Sequence, residues 1–162
     1  YYGRYYIKSN ILTPAKFETL FSDPESKKEI VNDLNWEAYP LGFSYILSTA
    51  YDKYKLPIYV LESGTADKED NDVRRQANIV THLAEIWNLN NSKKADVRGY
   101  IHWSLIDNFE WAEGFEAKFG LVKVDYHNGY KRTPRPSAKL YSEIIEKGIS
   151  KQMLETFSKD YK

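Results

Sequence analysis

The residues able to do chemistry gather in two stretches. The first is Glu62, which ends the apolar run Ile58-Tyr59-Val60-Leu61 and precedes a Ser63-Gly64 turn. A carboxylate held at a strand end can serve as nucleophile or acid–base group when its surroundings tune it. The alternative is a carboxylate that caps the turn or points to solvent. The second stretch is Trp103-Ser104-Leu105-Ile106-Asp107-Asn108-Phe109-Glu110-Trp111, with Phe115 and Phe119 close behind. Its aromatics alternate with Asp107, Asn108, Glu110 and Glu113. A loop that keeps large rings beside carboxylates and an amide makes an apolar wall with a few aimed polar groups, the makeup of a ligand pocket. A sugar ring suits such a wall, its C–H face on an aromatic plane and its hydroxyls on acceptors at the edge. The competing reading is that the rings plug the mouth of the fold.

The elements that would hold these residues are legible from period and breakers. Tyr1–Ile7 reads as a strand end, residues 8–35 as polar and irregular, and Ser22-Asp23-Pro24 as a helix start. Pro40 opens a helix with Phe43, Ile46, Leu47, Ala50 and Tyr54 on one face, stopping before Pro57. Ile58–Leu61 is a short, β-rich run suited to a buried strand. A second helix spans Asp72 to Asn88, with Val73, Ala77, Val80, Leu83, Ala84 and Trp87 as its stripe. Val97–Ser104 is the next strand and Leu105–Gly120 a long aromatic loop. Leu121–Asp125 and a two-residue Asn128-Gly129 turn predict a hairpin. Pro136-Ser137 starts a helix carrying Leu140, Tyr141, Ile144 and Ile145, closed by Gly148. The tail beyond it reads as a solvated segment.

Helix, strand, helix, strand, helix predicts an α/β layout with parallel strands. Two such strands cannot close a sheet, and a (β/α)₈ barrel takes about 250 residues. The expectation is therefore the C-terminal part of a TIM barrel, its last two strands with their helices, incomplete on its own. Residues 1–148 would belong to that single domain and 149–162 to a tail. The opening Tyr1-Tyr2 and a single methionine, Met153, fit a piece of something longer.

Composition narrows the partners. The 162 residues carry 23 Lys plus Arg against 23 Asp plus Glu, which argues against nucleic acid and against a polybasic membrane arm. No run approaches the ~18 apolar residues of a membrane span. Cysteine is absent, which excludes disulfides and thiolate metal sites and suits a reducing compartment, so a cytoplasmic location is expected. His82, His102 and His127 are scattered. His102 alternates with Trp103 and should face the helices as a core histidine. No metal and no cofactor are expected.

The run from Trp103 to Trp111 matches W-S-L-x-D-N-F-E-W at every fixed position. With Lys118-Phe119-Gly120-Leu121, Val124-Asp125 and Arg135-Pro136-Ser137-Ala138, it resembles the C-terminal part of the family-one glycoside hydrolases, the β-glucosidase and β-galactosidase family, in their archaeal form. The resemblance covers Tyr1 to about Gly148. It implies that Glu62 is the catalytic nucleophile after the seventh barrel strand and that the Tyr2 hydroxyl bonds it. It further implies that Trp103 lies beneath the sugar, that Glu110 and Trp111 bind its outer hydroxyls and that Phe119 lines the same subsite. The family's phospho-sugar enzymes carry Ser in place of Glu110, with Lys and Tyr in place of Ala117 and Phe119. An unphosphorylated sugar is therefore implied.

Two departures stand out. Around the nucleophile the family writes T-E-N-G, whereas this chain has Leu61-Glu62-Ser63-Gly64. Alternation should turn Leu61 toward the helix layer, and Ser63 removes an amide beside the nucleophile. The family's acid/base Glu lies in an N-E-P motif, and this sequence contains none. The expectation is a retaining hydrolase of terminal β-D-glucosides or galactosides, including aryl and alkyl glycosides. It works through a glycosyl-enzyme on Glu62, with an N-terminal barrel part as partner and the isolated chain inactive. The alternative is a non-catalytic sugar-binding or structural fragment.

Overall fold

A computed structural model of the protein describes residues 31–158; the expectations for Tyr1–Ile7, Ser22-Asp23-Pro24 and Tyr2 lie outside them. The described chain opens with a turn bridged between Val31 and Glu37. Inside it the Asn32 side-chain oxygen accepts the Leu34 and Trp36 amides at 2.9 and 3.0 Å. A short amide side chain mimics a backbone turn in this way.

Helix α1 is Pro40–Tyr54, its proline at the first turn where no intrahelical N–H is needed. Strand β1, Ile58–Ser63, leads through a loop to helix α2, Val73–Asn91, and then to strand β2, Val97–His102. The two strands pair in parallel, so α2 is the crossover of a β/α/β unit. A separate antiparallel hairpin, β3 (Val122–Asp125) and β4 (Lys131–Pro134), precedes helices α3 (Pro136–Lys147) and α4 (Lys151–Phe157).

Helix α2 is central. On one side Phe43 and Leu47 of α1, Leu89 of α2 and Val60 and Val97 of the sheet form one core. On the other, Ile79 and Val80 pack with Leu121, Leu140 and Ile144. The opposite face of the sheet is uncovered, and Tyr59, Leu61 and Ile101 are exposed there.

Several expectations shift. On α1 only Phe43 and Leu47 of the apolar stripe are buried, whereas Ile46 and Tyr54 are exposed. On α2 the ends of the stripe, Val73 and Trp87, are exposed, and the helix is buried nearly all round from Ala77 to His82. It runs on to Asn91, and Asn90 ties its end to β2 through both the amide and the carbonyl of Val97. The hairpin turn spans residues 126–130, because Asp125 pairs with Lys131 and both Gly129 and Tyr130 adopt positive φ. The tail is not a solvated strand of chain. Ile149, Met153, Leu154 and Phe157 pack against the second core.

Charge is also buried, which apolar periodicity cannot show. Arg75 is 0 % exposed; it donates to Asp72 at 2.7 Å and to the Asp67 and Lys118 carbonyls at 2.7 and 2.6 Å. Asp72 in turn accepts from the Ser137 amide and hydroxyl. Asp67 accepts the Arg74 and Arg75 amides at the start of α2, where a carboxylate satisfies orphan N–H groups. These bonds fasten the loop after β1 to α2, and α2 to α3.

Candidate active site

Strand β1 delivers Glu62 through an irregularity. Val60 is opposite Tyr100 and Ser63 opposite His102, so β1 spends three residue steps where β2 spends two. The extra residue is a bulge, which reverses the in–out phase and re-aims side chains. Without it Glu62 would share the helix-facing side of Val60. With it Glu62 is exposed, Ser63 is buried, and the chain enters the cleft carboxylate first. Leu61 consequently does not face the helix layer. It is 66 % exposed, on the same uncovered face as Tyr59.

On β2 the expected alternation holds. His102 is buried on the helix side, and Trp103 follows on the open side. The Trp103 amide donates to the Ser63 carbonyl at 3.0 Å. Gly64 is required at this crossing, since a Cβ there would come within 1.7 Å of the Trp103 carbonyl oxygen.

The aromatic loop is pinned from below. Asp107 is buried and forms a bidentate pair with Arg135, Nη1 to Oδ1 and Nη2 to Oδ2, both at 3.0 Å. Its oxygens also accept the Gly120 and Val124 amides at 2.9 and 3.2 Å. Asp107 is therefore a structural clamp, not one of the groups aimed at a ligand. Above it, Ser104 Oγ donates to Asn108 Oδ1 at 3.1 Å, and Asn108 Nδ2 donates to Glu110 Oε2 at 2.9 Å. One Glu110 oxygen is thus held while the other stays available. Trp111 follows in a short 3₁₀ turn, Trp111–Glu113, and is 84 % exposed. Phe119 is buried with Ala66 and Ala117.

Glu62, Trp103, Glu110, Trp111 and Phe119 all line one open cleft of about 570 Å³. The structure thus brings together every expected site residue it describes. The cleft has further walls that period and composition did not mark. Trp36 lies 5.9 Å from the Phe119 ring, held by Asn32, whose Nδ2 also donates to Thr65 at 3.2 Å. Glu37 and Tyr39 line the same side. Asn78 and His82, one turn apart on α2, close the floor behind Ser63. Burial pushes His82 down to about 3, with the neighbouring His102 adding to the effect, so its ring is neutral.

Parallel strands joined through a helix, with polar and aromatic groups gathered at the strand ends, define a β/α type of protein with an open cleft suited to a small polar ligand. Comparison with known proteins specifies the kind. The glycosyl hydrolase family 1 model matches residues 4–149, and the chain belongs to that family. It is 44 % identical over 124 residues to a β-galactosidase of Saccharolobus solfataricus, covering 76 % of this chain and 24 % of the relative. Against β-glucosidase A of Thermotoga maritima it is 32 % identical over 155 residues, covering 90 % and 33 %. Among solved structures, a β-glycosidase from Pyrococcus horikoshii matches with a TM-score of 0.74 and 37 % identity, over 81 % of this chain and 30 % of that one. The chain spans about a quarter to a third of the length of these relatives, and its two strands are part of a (β/α)₈ barrel.

Proposed function

We propose that the chain forms the C-terminal part of a retaining β-glycosidase acting on terminal, unphosphorylated β-D-glucosides or β-D-galactosides, with Glu62 as nucleophile. The observation that supports this best is the shared cleft. A carboxylate turned inward by a bulge faces a space walled by Trp103, Trp111 and Phe119, with a second carboxylate, Glu110, anchored at its rim. Family membership favours an enzyme over a non-catalytic sugar-binding fragment.

In this reading the sugar ring rests on Trp103 while Glu110 accepts bonds from its outer hydroxyls. A Glu62 oxygen forms the bond to the anomeric carbon as the bond from that carbon to the leaving oxygen breaks. The leaving oxygen takes a proton from a second carboxyl about 5–5.5 Å from the first, the separation that retention requires. That acid belongs to the barrel portion which this chain does not span. Water then attacks the same carbon, yields its proton to the acid residue and frees Glu62. Glu110, hydrogen-bonded to Asn108 beside two tryptophans, has a recognition role. A phosphate on the sugar would meet its negative charge.

The test is chemical rescue in the completed enzyme. Glu62→Ala should lose nearly all turnover of a dinitrophenyl β-glycoside, and azide should restore it with an α-glycosyl azide as product. A β-configured azide, or rescue only in Glu110→Ala, would overturn the assignment.

A further inference from the structure

The bulge that aims Glu62 has to be held. The backbone ladder does not hold it, because Leu61 and Glu62 fall between the paired positions Val60 and Ser63. Upstream, Val60 is fixed in the core. Downstream, everything converges on Ser63. Its carbonyl accepts the Trp103 amide at 3.0 Å and the Tyr100 hydroxyl at 3.4 Å. Its hydroxyl lies 2.9 Å from His82 Nδ1.

His82 is a rigid anchor. It is 2 % exposed, lies in the buried middle of α2, and is stacked on Phe43 of α1 with ring centroids 4.5 Å apart and planes at 16°. Its Nε2 lies 3.5 Å from the Asn78 amide, and Asn78 Oδ1 is buried without a partner. A neutral imidazole has one donor and one acceptor nitrogen. With the Asn78 amide donating to Nε2, the proton sits on the other nitrogen: Nδ1–H donates to the Ser63 hydroxyl oxygen, and both ring nitrogens are engaged. One side-chain line then runs from α2 to the residue after Glu62. The serine that replaces the family's asparagine is thus not a mere loss.

We propose that Ser63 and His82 are positioning residues for Glu62: their hydrogen bond, backed by Asn78, locks the bulge that turns the carboxylate into the cleft. The proposal rests on the reading of Glu62 as nucleophile. A positioning role separates from a structural one in what it moves. Loss of the bond should slow formation of the bond between Glu62 and the anomeric carbon while leaving substrate affinity and melting temperature nearly as they were.

The experiment uses the completed enzyme with a 2-deoxy-2-fluoro dinitrophenyl glycoside, reading the labelling rate, its saturation constant, the labelled residue and the melting temperature. Ser63→Ala should label Glu62 about five- to tenfold more slowly at an unchanged saturation constant, one neutral hydrogen bond's worth. Ser63→Thr, which keeps the hydroxyl, and His82→Asn, which keeps a nitrogen near Nδ1, should recover most of the rate. Labelling of Glu62 at the wild-type rate in Ser63→Ala overturns the proposal alone. So does a loss in Ser63→Ala that both conservative variants share and that follows their melting temperatures. Label on a different residue of the wild-type protein overturns the nucleophile reading, and the proposal with it.

Discussion

Replacing Asp107 by alanine separates two accounts of the aromatic loop. Read from the sequence alone, Asp107 belongs with Glu110 among the acceptors offered to a sugar. In the structure it is buried under the loop and accepts four hydrogen bonds, two from Arg135 and one each from the Gly120 and Val124 amides. Asp107→Ala would strip the partner from a guanidinium whose side chain is 3 % exposed. Breaking a buried pair from one side costs about 3–5 kcal/mol, because the other charge stays desolvated. Two backbone N–H groups lose their acceptor at the same time. Gly120 and Arg135 flank the return of the loop, so the cost should appear there first. Native-state hydrogen exchange reads it locally. At roughly 1.4 kcal/mol per tenfold, protection of the Val124 amide should fall by about two to three and a half decades, provided it exchanges through the opening that breaks this pair. Turnover should fall with it as Trp103, Glu110 and Trp111 lose a common support. Unchanged protection together with a raised KM would refute the reasoning and return Asp107 to the sugar.

Glu110→Ser should weaken turnover of plain glycosides by about ten- to a hundredfold, since charge-assisted bonds are worth roughly 1.5–3 kcal/mol each. It should also narrow the preference over 6-phospho glycosides; an unchanged ratio of the two in kcat/KM would place Glu110 outside the subsite. Burial pushes both His82 and His102 down to about 3, the charge of Arg75 also acting on His102. Their share of stability is complete above the unfolded value of about 6.5 and drains away as pH falls toward 3. Near pH 5 the two protons taken up on unfolding give a slope of about 2.7 kcal/mol per pH unit, and His102→Gln should halve that share in urea titrations across pH. Finally, the 162-residue chain alone should show no turnover and should self-associate, because Tyr59, Leu61 and Ile101 leave one face of β1 and β2 uncovered. Adding the N-terminal barrel part should restore activity, and a monomer with glycosidase activity of its own would contradict this.

How much of this was legible beforehand depends on which residue is asked. The β/α/β order could be read, because short apolar strands such as Ile58–Leu61 and helices opened by Pro40 and Pro136 announce themselves locally, although in the described chain only one face of that strand is buried. The W-S-L-x-D-N-F-E-W run located the cleft wall, and the likeness it carried pointed to Glu62. The placement of Leu61 on the uncovered face, away from the helices, could not be read, because counting back from Glu62 by alternation assumes a regular ladder and the bulge breaks it by one residue. Arg75 and Asp72 carried no signal and Asp107 was grouped with the ligand-facing carboxylates, since nothing local shows that Lys118, Ser137 and Arg135 arrive against them from far along the chain. Trp36 escaped for a similar reason. It sits in a polar stretch, and only the Asn32 turn brings it against Phe119. The packed tail needed the second core to be known before its stripe of Ile149, Met153 and Leu154 had anything to face.

The central claim is that Glu62 forms the covalent bond to the sugar. Peptide mapping of the completed enzyme after reaction with a 2-deoxy-2-fluoro glycoside tests it most directly, because the fluorine slows breakdown of the glycosyl-enzyme. The account predicts a single adduct on the peptide containing Leu61-Glu62-Ser63-Gly64, with fragmentation placing it on Glu62. An adduct on Glu110, or on a residue outside this chain, would contradict it.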